Sequence, residues 1–332
     1  ATNTISTGGA TGTLDLSDAE LGLVTTTGVL QIGDTGAGAI TVDASITPAN
    51  VATVHLQTGA GITDTAGSII TETNLAITAG GTVTLDVGHD VGTVAADLSS
   101  GTGSFTFDDT NTLTVGTVDA VVGITTTDAA ITTITGGDLT ISNAIGAGTG
   151  RVSLRSDAAA TISTGGATGT LDLSDAELDL VTTTGVLQIG DTGAGAITID
   201  AAISPLNAAT VHLQTGAGIT DTAGSIITET NLAITAGGTV TLDVGHDVGT
   251  VAADLSSGTG SFTFDDTNTL TVGTVDAVVG ITTTDAAITT ITGGDLTISN
   301  AIGAGTGRVS LRSDAAATIS TGGATGDRKS VV

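Results

Sequence analysis

The chain has 332 residues and a net charge of −28 at pH 7, because 34 acidic residues stand against 6 Lys and Arg. So acidic a chain lacks the basic face that nucleic-acid phosphates require, and none of its apolar runs approaches the ~18 residues of a membrane-spanning helix. Cys is absent, which excludes a disulfide scaffold, a Cys-based zinc site and a Cys nucleophile.

The sequence repeats itself at a constant step. The string TISTGGATG begins at Thr4, Thr161 and Thr318, a step of 157 residues. A chain that copies a long unit in tandem usually builds length, whereas a catalytic site is normally built once per domain. The first two copies differ at six positions, which are Gly22/Asp179, Val42/Ile199, Ser45/Ala202, Thr47/Ser204, Ala49/Leu206 and Val51/Ala208.

Within a copy, short stretches alternate apolar and polar residues, which predicts β-strands with one buried face. In chain order these stretches are 13–16, 29–32, 82–86, 104–107, 138–141 and 151–155. Helical spacing of apolar residues is absent, so we expect no helix. Gly-rich turns separate the strands at 8–9, 36–38, 80–81, 136–137 and 146–148.

Many short strands joined by Gly turns suit either a two-sheet sandwich or a solenoid. A sandwich core is normally rich in aromatic residues, but aromatics are 1% of this chain, all of them Phe. The sequence therefore predicts an all-β, elongated parallel β-helix built from tandem repeats. With ~20 residues per turn, two copies would hold about sixteen turns in a rod of roughly 75–80 Å.

We expect one continuous solenoid over residues 1–326, with copy 1 at about 4–160, copy 2 at about 161–317 and the start of a third at 318–326. Because the chain begins within a repeat, we expect it to be an internal fragment of a longer protein. Residues 327–332 (DRKSVV) break the repeat and are similar to a translated sequencing adapter, so we interpret them as a non-native tail.

Three stretches, 74–85, 111–126 and 136–154, resemble the β-strand repeats of large filamentous-haemagglutinin-like exoproteins and adhesins of Gram-negative bacteria. The resemblance covers residues 1–326. It implies a right-handed parallel β-helix exported to the cell surface through an outer-membrane secretion partner. The secretion domain and any functional tip region of such a protein would lie outside these residues.

The four His are two residues, each present in both copies: His55/His212 and His89/His246. Alternation through Val54-His55-Leu56 predicts that His55 points to solvent, and no metal-ligating residue stands at a suitable spacing. His89-Asp90 follows Gly88, which predicts a hydrogen-bonded turn. Asn74 and Asn143 are expected at strand edges, in plain turns, and asparagine ladders between turns are the alternative.

Carboxylates are the residues of this chain that could bind calcium or cleave glycans. Asp64 and the pair Asp108-Asp109 are candidates for weak calcium binding, but Gly136-Gly137-Asp138 lacks the nine-residue recurrence of a calcium β-roll. Asp15 and Ser17 fall on the outer face, with Asp18 and Glu20 in a turn. Tyr and Trp are absent and alternation buries the Phe-Thr-Phe pairs, which disfavours glycoside hydrolysis.

A Ser-His-Asp triad is open by composition, but no GxSxG elbow is present. Arg151 and Arg155 share an outward face and are expected to pair with Asp on the adjacent turn, while binding of an acidic glycan by these arginines stays open. We therefore assign no catalytic, cofactor-binding or metal-ligating residue.

These observations favour a structural, non-catalytic stalk segment of a large secreted or surface-exposed bacterial adhesin or exoprotein, located outside the cell or on its surface. Its ligand, a host glycan or protein, would bind regions outside this chain, and no nucleic-acid partner or cofactor is expected. A glycan- or host-protein-binding solenoid module is the alternative that an exposed apolar or aromatic patch would favour. A polysaccharide-degrading β-helix enzyme would need a converging carboxylate cluster.

Overall fold

The computed structural model describes residues 3–9, 11–157, 159–166, 168–313 and 318–321; the interpreted tail 327–332 lies outside these residues. The protein is all-β with 3% helix, and its parallel strands stack as a β-solenoid of about 13 turns. The parallel β-helix predicted from alternation is confirmed, and its right-handed sense stays a prediction. Among the described residues, no helix has the length and apolarity needed to cross a membrane.

The chain divides into two compact units, residues 1–157 with 180–185 and residues 158–179 with 186–332. The first unit contains one helical turn, α1 (Asp18–Leu21), and the strands β1 (Ile5–Thr7), β2 (Leu14–Leu16), β3 (Leu30–Asp34), β4 (Ile40–Val42), β5 (Thr53–Thr58), β6 (Ile62–Asp64), β7 (Thr71–Ala79), β8 (Val83–Leu98), β9 (Phe105–Asp109), β10 (Leu113–Val115), β11 (Thr117–Val118), β12 (Val121–Val122), β13 (Ile124–Thr126), β14 (Ile131–Thr135), β15 (Leu139–Ile141), β16 (Ile145–Gly148), β17 (Val152–Ser156) and β20 (Val181–Thr183).

The second unit repeats this order. It contains β18 (Ile162–Thr164), β19 (Leu171–Leu173), α2 (Asp175–Leu178), β21 (Leu187–Asp191), β22 (Ile197–Ile199), β23 (Thr210–Thr215), β24 (Ile219–Asp221), β25 (Thr228–Ala236), β26 (Val240–Leu255), β27 (Phe262–Asp266), β28 (Leu270–Val272), β29 (Thr274–Val275), β30 (Val278–Val279), β31 (Ile281–Thr283), β32 (Ile288–Thr292), β33 (Leu296–Ile298), β34 (Ile302–Gly303), β35 (Val309–Ser313) and β36 (Ile319–Thr321).

Two parallel ladders run through each unit. In the first unit, one ladder joins β1, β4, β6, the start of β8, β9, β14 and β17. The other joins β3, β5, β7 and the end of β8, and then divides between β10 and β13. Each turn therefore contributes to both ladders, and β10 and β13 of one turn both lie in the second ladder. Strand β8 bends to serve both ladders.

The prediction of ~20 residues per turn, and so of sixteen turns, is wrong. Leu75 pairs with Val94, 19 residues on, whereas Ala96 pairs with Ile124, 28 residues on. The longer turn carries the antiparallel hairpin of β11 and β12. Insertions of this kind lengthen individual turns and reduce their number.

The core consists of columns in which each buried side chain lies on its equivalent in the next turn. The four Phe are fully buried, as alternation predicts, and Phe105 and Phe107 have ring centroids 6.2 Å apart. Close packing of this kind makes interior volume changes costly. One column of the first unit joins Ile5, Ile40, Ile62, Val83, Phe105, Ile131 and Val152.

Two short helices contradict the expectation of no helix. Ser17 accepts a hydrogen bond from the Glu20 N–H, and the Glu20 carboxylate accepts one from the Ser17 N–H at 2.9 Å. This capping box satisfies two donors that a helix start leaves free. Asp18 and Glu20 therefore lie in a helical turn, and the same box forms at α2.

Glycines stack at one corner of the first unit because the backbones of successive turns approach closely there. A Cβ on Gly101 would clash with the carbonyl oxygen of Gly80, and one on Gly80 would clash with that of Gly59. Gly146 differs, since a Cβ there would have no atom within 4 Å. The clashes at Gly101 and Gly80 are with backbone atoms, which cannot rotate away as a side chain can.

We expect Gly101→Ala to lower the free energy of unfolding by about 2–3 kcal/mol, because two turns must move apart. The matched change Gly146→Ala should alter it by less than about 1 kcal/mol. Urea denaturation followed by circular dichroism measures both. Equal effects of the two changes would contradict the close approach of the turns.

Deleting residues 131–151 should leave a folded protein. Phe105 pairs with Ile131, and Ile131 with Val152, so this deletion brings Val152 next to Phe105 in unchanged register. Solenoid stability is close to a sum of contacts between neighbouring turns, and one such term is lost. Deleting residues 131–140 instead should abolish cooperative urea unfolding, because the strands no longer meet their partners. Cooperative unfolding of both variants, or of neither, would count against the ladder register.

Candidate functional site

His55 does not point to solvent as alternation predicts. It lies on the outer side of β5, but it is only 6% exposed, because an antiparallel hairpin covers it. We call this hairpin, residues 117–122, the strap. The sequence prediction was wrong because it did not include the strap.

The strap is a two-stranded hairpin with a strained turn. Thr117 pairs with Val122 and Val118 with Val121. The two turn residues, Asp119 and Ala120, have φ values of 46° and 65°. Such a turn matches the twist of a hairpin, but it places a non-Gly residue in the left-handed region at a cost of about 1 kcal/mol or more.

Small side chains on the solenoid allow the strap to lie flat on it. Ala76 and Ala95 are fully buried beneath Val118, and Val121 packs against the same cluster. Ala76 pairs with His55 on one side and with Ala95 on the other, so the three residues form one outward column. The strap therefore covers a column that alternation assigns to solvent.

A chain of three polar side chains joins the strap to the solenoid. Asp119 Oδ2 lies 2.7 Å from His55 Nδ1, and Thr78 Oγ1 lies 2.9 Å from His55 Nε2. A carboxylate can only accept, so Nδ1 carries the proton and, in the neutral ring, Nε2 accepts from the Thr78 hydroxyl. We call Asp119, His55 and Thr78 the clamp.

Carboxylate, imidazole and hydroxyl follow one another in the clamp as they do in acyl-transfer enzymes. Such enzymes also need N–H donors for the oxyanion of the intermediate. Thr78 lies in β7, whose backbone pairs with β5 on one side and with β8 on the other, so the ladder uses its N–H groups. The contacts that the structure shows for the clamp are those that hold the strap to the solenoid.

The second unit repeats the clamp. His212 Nδ1 lies 2.6 Å from Asp276 Oδ2, and His212 Nε2 lies 2.9 Å from Thr235 Oγ1. Val275 packs on Ala233 and Ala252 as Val118 packs on its pair. Each copy therefore carries its own strap and clamp.

His89 lies inside a strand, whereas the sequence predicts a hydrogen-bonded turn for His89-Asp90. It lies within β8 and is fully buried, 5.4 Å from the ring centroid of Phe107. Gly88 has φ +77° and bends the strand there, which is the turn that the sequence indicated. The bend continues the strand around the corner instead of ending it.

Buried side chains at this corner accept backbone N–H groups that leave the ladder. The Ile70 N–H donates to His89 Nδ1 at 3.0 Å, and the Val91 N–H donates to Asp109 Oδ2 at 2.7 Å. Asp64 Oδ2 accepts the Val87 N–H at 3.2 Å. A buried N–H without an acceptor is costly, so these side chains make the corner possible. Asp64, His89 and Asp109 are the corner cluster.

The charge state of the corner follows from its burial. Since His89 Nδ1 accepts a hydrogen bond, Nε2 carries the ring proton, and it lies 3.2 Å from Asp64 Oδ2. Burial lowers the pKa of His89 to about 4, so the ring is neutral at pH 7. Burial also raises the pKa of Asp109 to about 6, although two backbone N–H groups oppose that shift.

Glu72 is a buried carboxyl beside the corner. It lies in β7 opposite Val91 and is 8% exposed, and its Oε1 has no hydrogen-bond partner among the described residues. Burial raises the pKa of Glu72 to about 7. Glu229 repeats this in the second unit, where burial raises the pKa to about 8.

Two of the three carboxylates considered for calcium, Asp64 and Asp109, accept backbone N–H groups of the protein. Asp109 accepts the N–H groups of Val91 and Asn111, and Asp64 faces Val87 and His89. Burial and nearby carboxylates raise the pKa of Asp108 to about 6. Within the described part of the chain, no group of three or more His, Cys, Asp or Glu could hold a metal ion.

The remaining candidates are dispersed. Register places Ile134 beside Arg155, with Asp108 one turn further, and the pairing of the arginines with Asp on the adjacent turn stays a prediction. Asn74 lies inside β7, not in a turn, and donates to the Ala52 carbonyl at 3.0 Å. Asn143 follows β15 and accepts from the Thr117 hydroxyl at 3.1 Å.

No protein-family model matches the chain, and no curated protein or solved structure is detectably similar to it.

We expect Glu72→Gln to stabilise the protein at high pH. The carboxyl ionises near pH 4.5 when unfolded and near pH 7 when folded, so stability falls as pH rises between these values. Gln cannot ionise, so the free energy of unfolding of the variant should exceed that of the natural protein by about 1–3 kcal/mol at pH 8.

The difference should vanish at pH 4, where both states hold the proton. Urea unfolding at pH 4, 6 and 8 measures it, and Asp86→Asn, which changes an exposed carboxylate, is the control. A constant difference between the variant and the natural protein at all three pH values would contradict a buried ionisation of Glu72.

Proposed function

We propose that this chain is a structural β-solenoid segment, a stalk of a larger exported surface protein. The observation that carries the proposal is the 157-residue repeat, whose two copies fold with the same local contacts. Residues one 157-residue step apart occupy equivalent places, as the clamp distances of 2.7 and 2.6 Å show. A protein that acts through its length gains from such copying, because each copy adds the same turns.

The polar groups of the solenoid are consistent with a structural role. The corner cluster supplies acceptors for backbone N–H groups, and the clamp joins two parts of the fold. Neither set needs a substrate to explain its residues. The proposed role therefore requires no turnover, no cofactor and no metal ion.

The location of the stalk is part of the proposal. A chain without Cys and with a net charge of −28 suits an exported, soluble surface structure. The resemblance to filamentous-haemagglutinin-like exoproteins points to the surface of a Gram-negative bacterium. Binding of a host glycan or protein would then belong to other regions of the full protein.

A stalk should lengthen by a constant increment for each copy. About 13 turns in two copies, at ~4.8 Å per turn, give about 30 Å per copy if the copies stack end to end. We expect small-angle scattering of chains with one, two and three copies to give maximum dimensions that rise by this increment. A maximum dimension that does not grow in step would refute the stalk. Chains with a 10-residue deletion in one copy serve as the control for correct stacking.

A further inference from the structure

We propose that the strap opens from the solenoid and closes on it as one unit, and that the clamp controls this opening. The proposal concerns a conformational device on the outer face of each copy. It stands apart from the stalk function, since a strap can open on a solenoid of any role.

The strap is attached to the solenoid at its two ends and by side chains. β11 and β12 form a separate two-stranded sheet, outside the ladders that hold β5, β7 and β8. At its base, the Gly123 N–H donates to the Gly116 carbonyl at 2.8 Å. Gly123 has φ +65°, a conformation that Gly adopts without strain. The strap can therefore move without breaking a ladder bond.

The apolar contact beneath the strap is small. Val118 and Val121 rest on two alanines, which offer little surface compared with the Phe, Leu and Ile of the core. Segments with few buried apolar contacts open locally at low free energy, well below that of global unfolding. The clamp is therefore a large share of what keeps the strap closed.

Strain in the turn works against closure. Asp119 and Ala120 both hold positive φ, and such residues persist where the surroundings impose them. Here the imposing contact is the hydrogen bond from His55 to Asp119. The Thr78 hydroxyl fixes the ring from the other side, so the imidazole is positioned before the strap closes.

A single introduced thiol can measure the opening, because the natural chain has no Cys. Val118→Cys places a thiol at a position that is 4% exposed and covered only while the strap is closed. Its reaction with 5,5′-dithiobis(2-nitrobenzoate) reports strap opening. Val94→Cys, at a fully buried core position, reports unfolding of the whole unit.

Asp119→Gly and Ala120→Gly form the matched pair of variants. Both relieve turn strain, but Asp119→Gly also removes the clamp carboxylate. We expect Asp119→Gly to accelerate labelling at position 118 at least tenfold, and Ala120→Gly to leave it unchanged or slower. Asp276→Gly, the same change in the second unit, should not affect labelling at position 118.

The proposal fails if Asp119→Gly labels no faster than Ala120→Gly, because the clamp then does not control opening. It also fails if labelling at position 94 accelerates as much as at position 118, because the unit then unfolds as a whole. Thr78→Val, which removes the hydroxyl and keeps the side-chain shape, should accelerate labelling at position 118 by a smaller factor. If Thr78→Val does not accelerate labelling at position 118, the Thr78 hydroxyl does not help to hold the strap closed, which contradicts its part in the proposal.

Discussion

Backbone hydrogen bonding between successive turns is the constraint on which the rest of the structure depends. Along straight strands the parallel ladders pair backbone N–H and C=O groups of neighbouring turns, but at a corner the chain leaves the ladder. The protein then needs acceptors inside a dry core. His89, Asp64 and Asp109 supply them, which explains why charged residue types lie among fully buried apolar side chains. The raised and lowered pKa values follow from that burial.

The same constraint decides which sequence changes the copies tolerate. The six differences between copies lie at residue 22 and within residues 42–51. These two places touch, since Asn50 donates to the Gly22 carbonyl at 2.9 Å. In the second copy Asp179 replaces Gly22, and its carboxylate accepts the Leu206 N–H at 2.9 Å. The differences therefore include surface residues and the fully buried pair Val42/Ile199, whose strands β4 and β22 keep the same ladder register.

The sequence determines the ladder strands well because alternation is a local signal with a direct cause in the pleat. Alternation also predicts the buried Phe pairs. The spacing of Ser17 and Glu20 is that of a capping box and marks a helix start, although these residues also suit the turn predicted from the sequence. The sequence does not predict the strap, because Asp119-Ala120 lacks the Gly that marks a two-residue hairpin. The predicted solvent exposure of His55 is wrong for the same reason. The burial of His89 is not predicted because it depends on contacts with residues about 20 positions away.

Turn length varies in this solenoid because register fixes which residues of neighbouring strands pair, but it does not fix the number of residues between the strands. Ladder 2 of the first unit, the one through β3, β5 and β7, divides at β10 and β13, and the strap fills the interval. The next turn keeps the same division between β15 and β16 without a hairpin. The ladder pairing is therefore the same with or without a hairpin. The position of the strap on the solenoid is set by side-chain contacts, namely the packing on Ala76 and Ala95 and the hydrogen bonds of the clamp.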